Sequence, residues 1–187
     1  MSQELNDFGR PDLLDAEALG QPGQRRFRVF ARRDERTASL WMEREQMEAL
    51  SLAIDQLLAT VSEAPVLRPE AQTEIPKPPG APDDFPTDPD VEFQVAQLKL
   101  GYDEDDDAIV LFAAPLVLVE QDGEVTAEED PAPQFVAHLT RGQATRLSGH
   151  ITGALAGGRP RCPLCGQPLE PGHVCVKQNG YHPVELN

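Results

Sequence analysis

Apolar and polar side chains alternate from Arg26 to Arg32, with Phe27, Val29 and Ala31 set against Arg26, Arg28 and Phe30. A period of two puts one set on each side of an extended backbone, so the segment predicts a half-buried strand. Asp34-Glu35-Arg36 can turn the chain, and Thr37 to Met42 supplies the second arm of a hairpin. Upstream, Leu13 to Leu19 predicts a short strand ending in the turn Gly20-Gln21-Pro22-Gly23. There proline restricts φ and glycine admits positive values.

At Glu43 the period changes. Met47, Leu50, Ile54, Leu57 and Leu58 recur at spacings of three and four as far as about Val61. That is the stripe of an amphipathic helix, expected to cover one face of the hairpin. Residues 63–90 break the pattern. Eight of the chain's eighteen prolines lie there, with seven acidic residues against Arg68 and Lys77. Proline removes donors and like charge extends a chain, so the stretch reads as a linker or long loop.

Structure resumes at Val91. Phe93 to Leu100 and Ala108 to Leu118 are apolar runs flanking Gly101-Tyr102-Asp103-Glu104-Asp105-Asp106-Asp107, a second hairpin with a charged tip. Asp103, Asp105 and Asp107 alternate as in a calcium loop. Ala108 stands where that loop needs glycine and Ala114 where it needs glutamate, which excludes an EF-hand. An acidic loop from about Glu120 to Pro133, a strand over Gln134 to Leu139 and a helix over Thr140 to Ala156 follow. Thr140 and Gln143 have capping-box spacing, and Gly157-Gly158 before Pro160 ends the helix.

The two helical segments align at an offset of 97 residues, pairing Leu50 with Leu147, Ile54 with Ile151 and Leu58 with Leu155. Apolar spacing alone explains those matches. It does not explain Arg44 with Arg141, Gln46 with Gln143 or Ser51 with Ser148. The expected class is therefore α+β, a two-layer domain with an antiparallel sheet and both helices on one face, built from a strand–strand–helix duplication. Its parts are a first unit over 1–62, the 63–90 linker, a second unit over 91–158 and a tail over 159–187.

The tail carries the clearest chemistry. Cys162-Pro163-Leu164-Cys165-Gly166 presents two thiolates from a tight turn, and His173-Val174-Cys175 puts two further ligands on one side of an extended chain. Cys162, Cys165, His173 and Cys175 make a closed Cys₃His set for Zn²⁺, a structural knuckle whose folding depends on the metal. His182, seven residues past Cys175, is the rival fourth ligand. His138 and His150 read as packing or surface residues, and no catalytic constellation or phosphate loop emerges.

Charge narrows the partners. A net charge of −16 argues against nucleic acid. Six arginines between Arg25 and Arg36 nevertheless form a local cationic stretch, and Arg26 and Arg28 on the sheet's open face are the candidate anion site. No run approaches the length of a membrane span, and the first residues lack signal-peptide character, so a cytoplasmic protein is expected.

Three segments resemble a family of uncharacterised actinobacterial proteins of about 190 residues. They are Gly20-Gln21-Pro22-Gly23-Gln24-Arg25-Arg26-Phe27, Leu98-x-Leu100-Gly101-Tyr102-Asp103, and Cys162-Pro-Leu-Cys165-Gly166 through Gly172-His173-Val174-Cys175 to Asn179-Gly180-Tyr181. The resemblance implies a bacterial cytosolic protein and adds no reaction. The family's second hairpin arm is rich in acidic residues, whereas Ile109 to Pro115 here is nearly all apolar. The expected function is a non-enzymatic, zinc-containing binding or scaffold protein that contacts another protein. The alternative is a sensor or enzyme acting on a phosphorylated or other anionic small molecule through the arginine-rich strand.

Overall fold

The computed structural model describes residues 6–21, 24–61, 80–121, 124–128 and 131–156, together with Leu164 and Cys175. The strands of the first half are β1 (Asn6–Asp7), β2 (Leu13–Leu19), β3 (Arg26–Arg33) and β4 (Arg36–Met42), followed by helix α1 (Arg44–Val61). The second half has β5 (Val91–Asp103), β6 (Ala108–Pro115), β7 (Leu118–Gln121), β8 (Glu124–Ala127) and β9 (Phe135–Leu139), followed by helix α2 (Arg141–Ala156). The periodicities therefore predict the long strands and both helices closely. Asp34, at φ 53°, turns β3 into β4, a conformation that aspartate tolerates better than most residues.

Seven strands form one sheet in the order β1-β9-β6-β5-β4-β3-β2, and among the described residues β7 pairs only with β8. The sheet is mixed, which corrects the purely antiparallel expectation. β4 runs parallel to β5 and β1 runs parallel to β9. The reason is topological: a helix and a long connection separate β4 from β5, so the chain can return along its earlier direction. A second correction concerns the repeating unit, which has three strands before its helix, β2-β3-β4-α1 and β5-β6-β9-α2.

The sheet must also curl. Laid flat, β1 and β2 would stand about 28 Å apart across six inter-strand spacings. Only residues 8–12 join them, and that stretch spans at most about 20 Å. Phe8 extends the β1–β9 pairing through Val136 O (2.9 Å), and His138 donates its N–H to Gly9 O (2.6 Å). The junctions repeat: Asn6 pairs with Phe135, and Val91 pairs with Ala38, the residue 97 positions before Phe135.

One side of the sheet carries the core. Leu14, Val29, Leu40, Ile109, Leu111 and Leu139 join the helical stripes Met47-Leu50-Ile54 and Leu147-Ile151 in a single buried cluster. Each such side chain contributes about 1.5–3 kcal/mol on burial.

The three polar matches that periodicity left unexplained now have roles. Ser51 and Ser148 lie 2.9 Å apart where the helices cross, each hydroxyl oxygen stands 3.3 Å from the other residue's carbonyl oxygen, and the Ser148 hydroxyl donates to Asp55 Oδ1 (2.7 Å). Gln46 accepts the Glu43 N–H and donates to Val95 O, while Gln143 accepts the Thr140 N–H and donates to Pro11 O. Arg44 reaches Leu155 O at the end of α2, and Arg141 reaches Val61 O at the end of α1. These guanidinium groups satisfy carbonyls that a helix C-terminus leaves without intrahelical donors.

Candidate functional site

The arginine-rich strand is covered more than an open sheet face would allow. Residues 80–90, in the stretch expected to lack helix and strand, hold neither and lie over β2, β3 and β4 as a strap. Arg28 meets Glu17 through Nε (2.7 Å) and Nη2 (2.6 Å) and donates from Nη1 to Ser39 Oγ (3.1 Å). The paired side chains are only 14% and 11% exposed. The other Glu17 oxygen accepts the Ala81 N–H at 2.9 Å. Gly80, at φ +76°, makes that approach possible, because a Cβ there would stand 3.0 Å from Glu17 Oε2.

The strap is pinned elsewhere too. Asp84 holds Arg32 through two hydrogen bonds of 3.0 and 3.1 Å, which keep its carboxyl below the ordinary range and the arginine above its own. Phe85 packs edge-on to the fully buried Phe30, centroids 5.4 Å apart. Asp90 accepts the N–H and hydroxyl of Thr37, and these bonds lower its pKa. Of the two candidate anion-binding residues, Arg28 is thus already matched by a carboxylate. Arg26 is exposed and lies over Trp41 at 4.0 Å, with the Trp41 indole N–H donating to Glu92.

The acidic tip of the second hairpin has its own network. Tyr102 donates to Asp107 (2.7 Å), and Arg141 reaches both Asp107 (2.8 Å) and the Tyr102 oxygen (3.1 Å). The tyrosine bond first, then the arginine, lowers the Asp107 pKa, while the same carboxylate raises that of Tyr102. Asp103, Asp106 and His138 bring ligand atoms within 4.8 Å of one another, and Arg10 donates to the Asp106 carbonyl beside them. His138 is half-buried on β9. His150 reaches from α2 to Asp15 on β2, Nδ1 to Oδ1 at 2.7 Å, and so ties helix to strand.

Between α1 and β5 the packing is looser. Two adjoining cavities of about 440 and 310 Å³ share Gln46, Ala96 and Gln97. The smaller is lined by apolar groups, among them Ala49, Ala53, Leu98 and Leu100. The larger opens beside Leu116, Ala127 and Glu128, at the base of the β7–β8 ribbon. Leu116 donates its N–H to Gln94 O and Glu128 to Val117 O, which fix that base. The ribbon exposes Leu118 (64%), Val125 (62%) and Val119 (39%), and Leu116 is 44% exposed.

Acid content made 120–133 look like a loop, so the ribbon and its apolar side were missed. The available signal was the alternation Leu116, Leu118, then Val125 and Ala127 across Asp122-Gly123. Of the predicted metal ligands, Cys175 is described and buried at 4%. Cys162, Cys165 and His173, with the rival His182, lie outside the described residues. Among the described residues, no helix is long and apolar enough to cross a membrane.

A family model described as a protein of unknown function, DUF3090, matches residues 6–175. No curated protein and no solved structure matches the chain.

Proposed function

We propose, for a chain that belongs to the DUF3090 family of proteins of unknown function, a non-enzymatic role as a binding or scaffold protein. Its contact surface is the groove between α1 and β5 together with the β7–β8 ribbon. The observation that carries this reading is the exposure of Leu118 and Val125 on one side of a ribbon that, among the described residues, pairs with no other strand. An isolated two-stranded ribbon is marginal in water, and grouped apolar exposure beside a groove marks an interaction site. A partner that covers these residues supplies the missing layer.

A photo-crosslinking residue in place of Leu118, in the full chain in its native host, is expected to give one discrete adduct. Val125→Asp should abolish it without unfolding the protein, since that side chain is 62% exposed. The same probe at Leu52, exposed on α1, should give none. Diffuse adducts, or the same adduct from both positions, would remove the reading. The alternative, an anionic or phosphorylated small molecule bound through Arg26 and Arg28, is supported only by the exposed Arg26, because an anion at Arg28 must displace Glu17.

The same proposal includes a structural zinc ion on Cys162, Cys165, His173 and Cys175, in a bacterial cytoplasmic setting where thiols stay reduced. Three thiols and an imidazole in one short run support it, as does the burial of Cys175. Such a site would supply the fold of a segment too short for its own core. Metal analysis of purified full-length protein should find about one zinc per chain, falling in His173→Ala. Zinc retained there but lost in His182→Ala would move the fourth position to His182, and a zinc-free wild type would end the assignment.

A further inference from the structure

β5 has different neighbours along its length. β4 pairs with it from Val91 to Gln94, whereas β6 pairs with it from Val95 to Asp103. Past Gln94 the side that β4 leaves turns toward α1. Gln46 marks the point of departure by donating to Val95 O (3.0 Å) and Ala96 O (3.4 Å).

The other half of the molecule shows what the same space looks like when filled. The 97-residue offset places Ala49 where α2 has Arg146 and Ala53 where it has His150. His150 spans the gap to Asp15 on β2. A methyl group cannot, and Ala49 and Ala53 line the cavity of about 310 Å³ instead. The groove therefore follows from two small residues at positions where the equivalent helix carries large ones.

Charge selects the occupant. Between Lys99 and Arg141 the chain has eleven acidic residues and no lysine or arginine. Glu43 and Glu128 stand at the mouth of the larger cavity, and Glu120 and Glu124 lie on the ribbon. A second copy of this chain meeting the groove through the same face would bring carboxylate to carboxylate. The floor is apolar, and Gln97 adds a side-chain amide that can both donate and accept.

Resting on the protein-binding reading above, we infer that this groove holds an extended segment of a partner protein, apolar at its centre and bearing lysine or arginine at the end that reaches Glu43 and Glu128. The segment lies along β5, its apolar side chains enter the cavity beneath Ala53, and its backbone amides meet those of the groove.

Two labelled peptides cover both chain directions, Lys-Lys-Val-Thr-Val-Thr-Val and Val-Thr-Val-Thr-Val-Lys-Lys. At least one should bind the full-length protein by fluorescence anisotropy and shift the amide resonances of Ala53, Gln97 and Leu98. Copying the filled half with Ala49→Arg and Ala53→His should weaken binding about tenfold or more, a loss of 1.4 kcal/mol per decade. Ala49→Arg alone, at an exposed position, gives the same readout should the double variant not fold. Equal binding by a peptide with glutamate in place of the lysines overturns the inference. So does equal binding by one with proline in place of both threonines, or unchanged affinity in the filled variants. A discrete Leu118 adduct that survives alongside absent peptide binding removes this inference and keeps the parent reading; loss of both removes both.

Discussion

Replacing Glu17 with Ala should destabilise the protein by about 3 kcal/mol, because it leaves a desolvated guanidinium without its counter-charge. Arg28 directs two nitrogens to one Glu17 oxygen, and Ser39, itself fully buried, takes a third. Glu17 also anchors the strap through the Ala81 N–H, so the substitution loosens residues 80–90 as well. Urea unfolding monitored by Trp41 fluorescence would show the loss as a lower midpoint at an unchanged slope. Combining Glu17→Leu with Arg28→Met should recover most of it, since no buried charge then remains. A loss of only ~0.5 kcal/mol, the scale of an exposed ion pair, would mean that water reaches this one.

Phe8→Ala should cost a comparable amount, about 3–4 kcal/mol for a fully buried ring removed into a cavity. Phe8 is 0% exposed and packs on Phe135 with centroids 5.0 Å apart. β1 itself has only two residues, so this ring is the main attachment of the strand that completes the curled sheet. Hydrogen exchange offers a local readout. The His138 N–H, which donates to Gly9 O, should exchange faster in the variant, while the Leu40 amide in the other half should keep its relative protection. Leu52→Ala, at a 56% exposed position, serves as the control and should change stability by less than about 0.5 kcal/mol.

Much of the fold was legible because one local rule governs each element. A period of two marked β3, a stripe at three and four marked α1, and the Thr140–Gln143 spacing marked the start of α2. What escaped depends on pairings between distant segments. β1 is too short to show a period, and the direction of β5 beside β4 depends on how the intervening chain returns. Arg28 looked available to an anion because its partner lies eleven residues away, and only the β2–β3 register brings Glu17 opposite it. The groove was hidden differently. Ala49 and Ala53 are ordinary helix residues, and their smallness gains meaning only beside Arg146 and His150 in the corresponding helix. The ribbon was lost to its own charge, since acidic residues at its turn outweighed the apolar positions on either side.

The reciprocal approach of Ser51 and Ser148 puts a symmetry element between the two helices. An approximate dyad passes between these two hydroxyls, exchanging Arg44 with Arg141 and the β4–β5 junction with the β9–β1 junction. A homodimer of half-length chains arranged about that axis would have to carry two grooves or none, because its subunits are identical. Joining both halves in one polypeptide lifts that restriction. One copy keeps large residues that seal helix to strand, and the other carries alanines that leave the space open. A groove in one half alone is thus a property that only a fused, diverged pair can have.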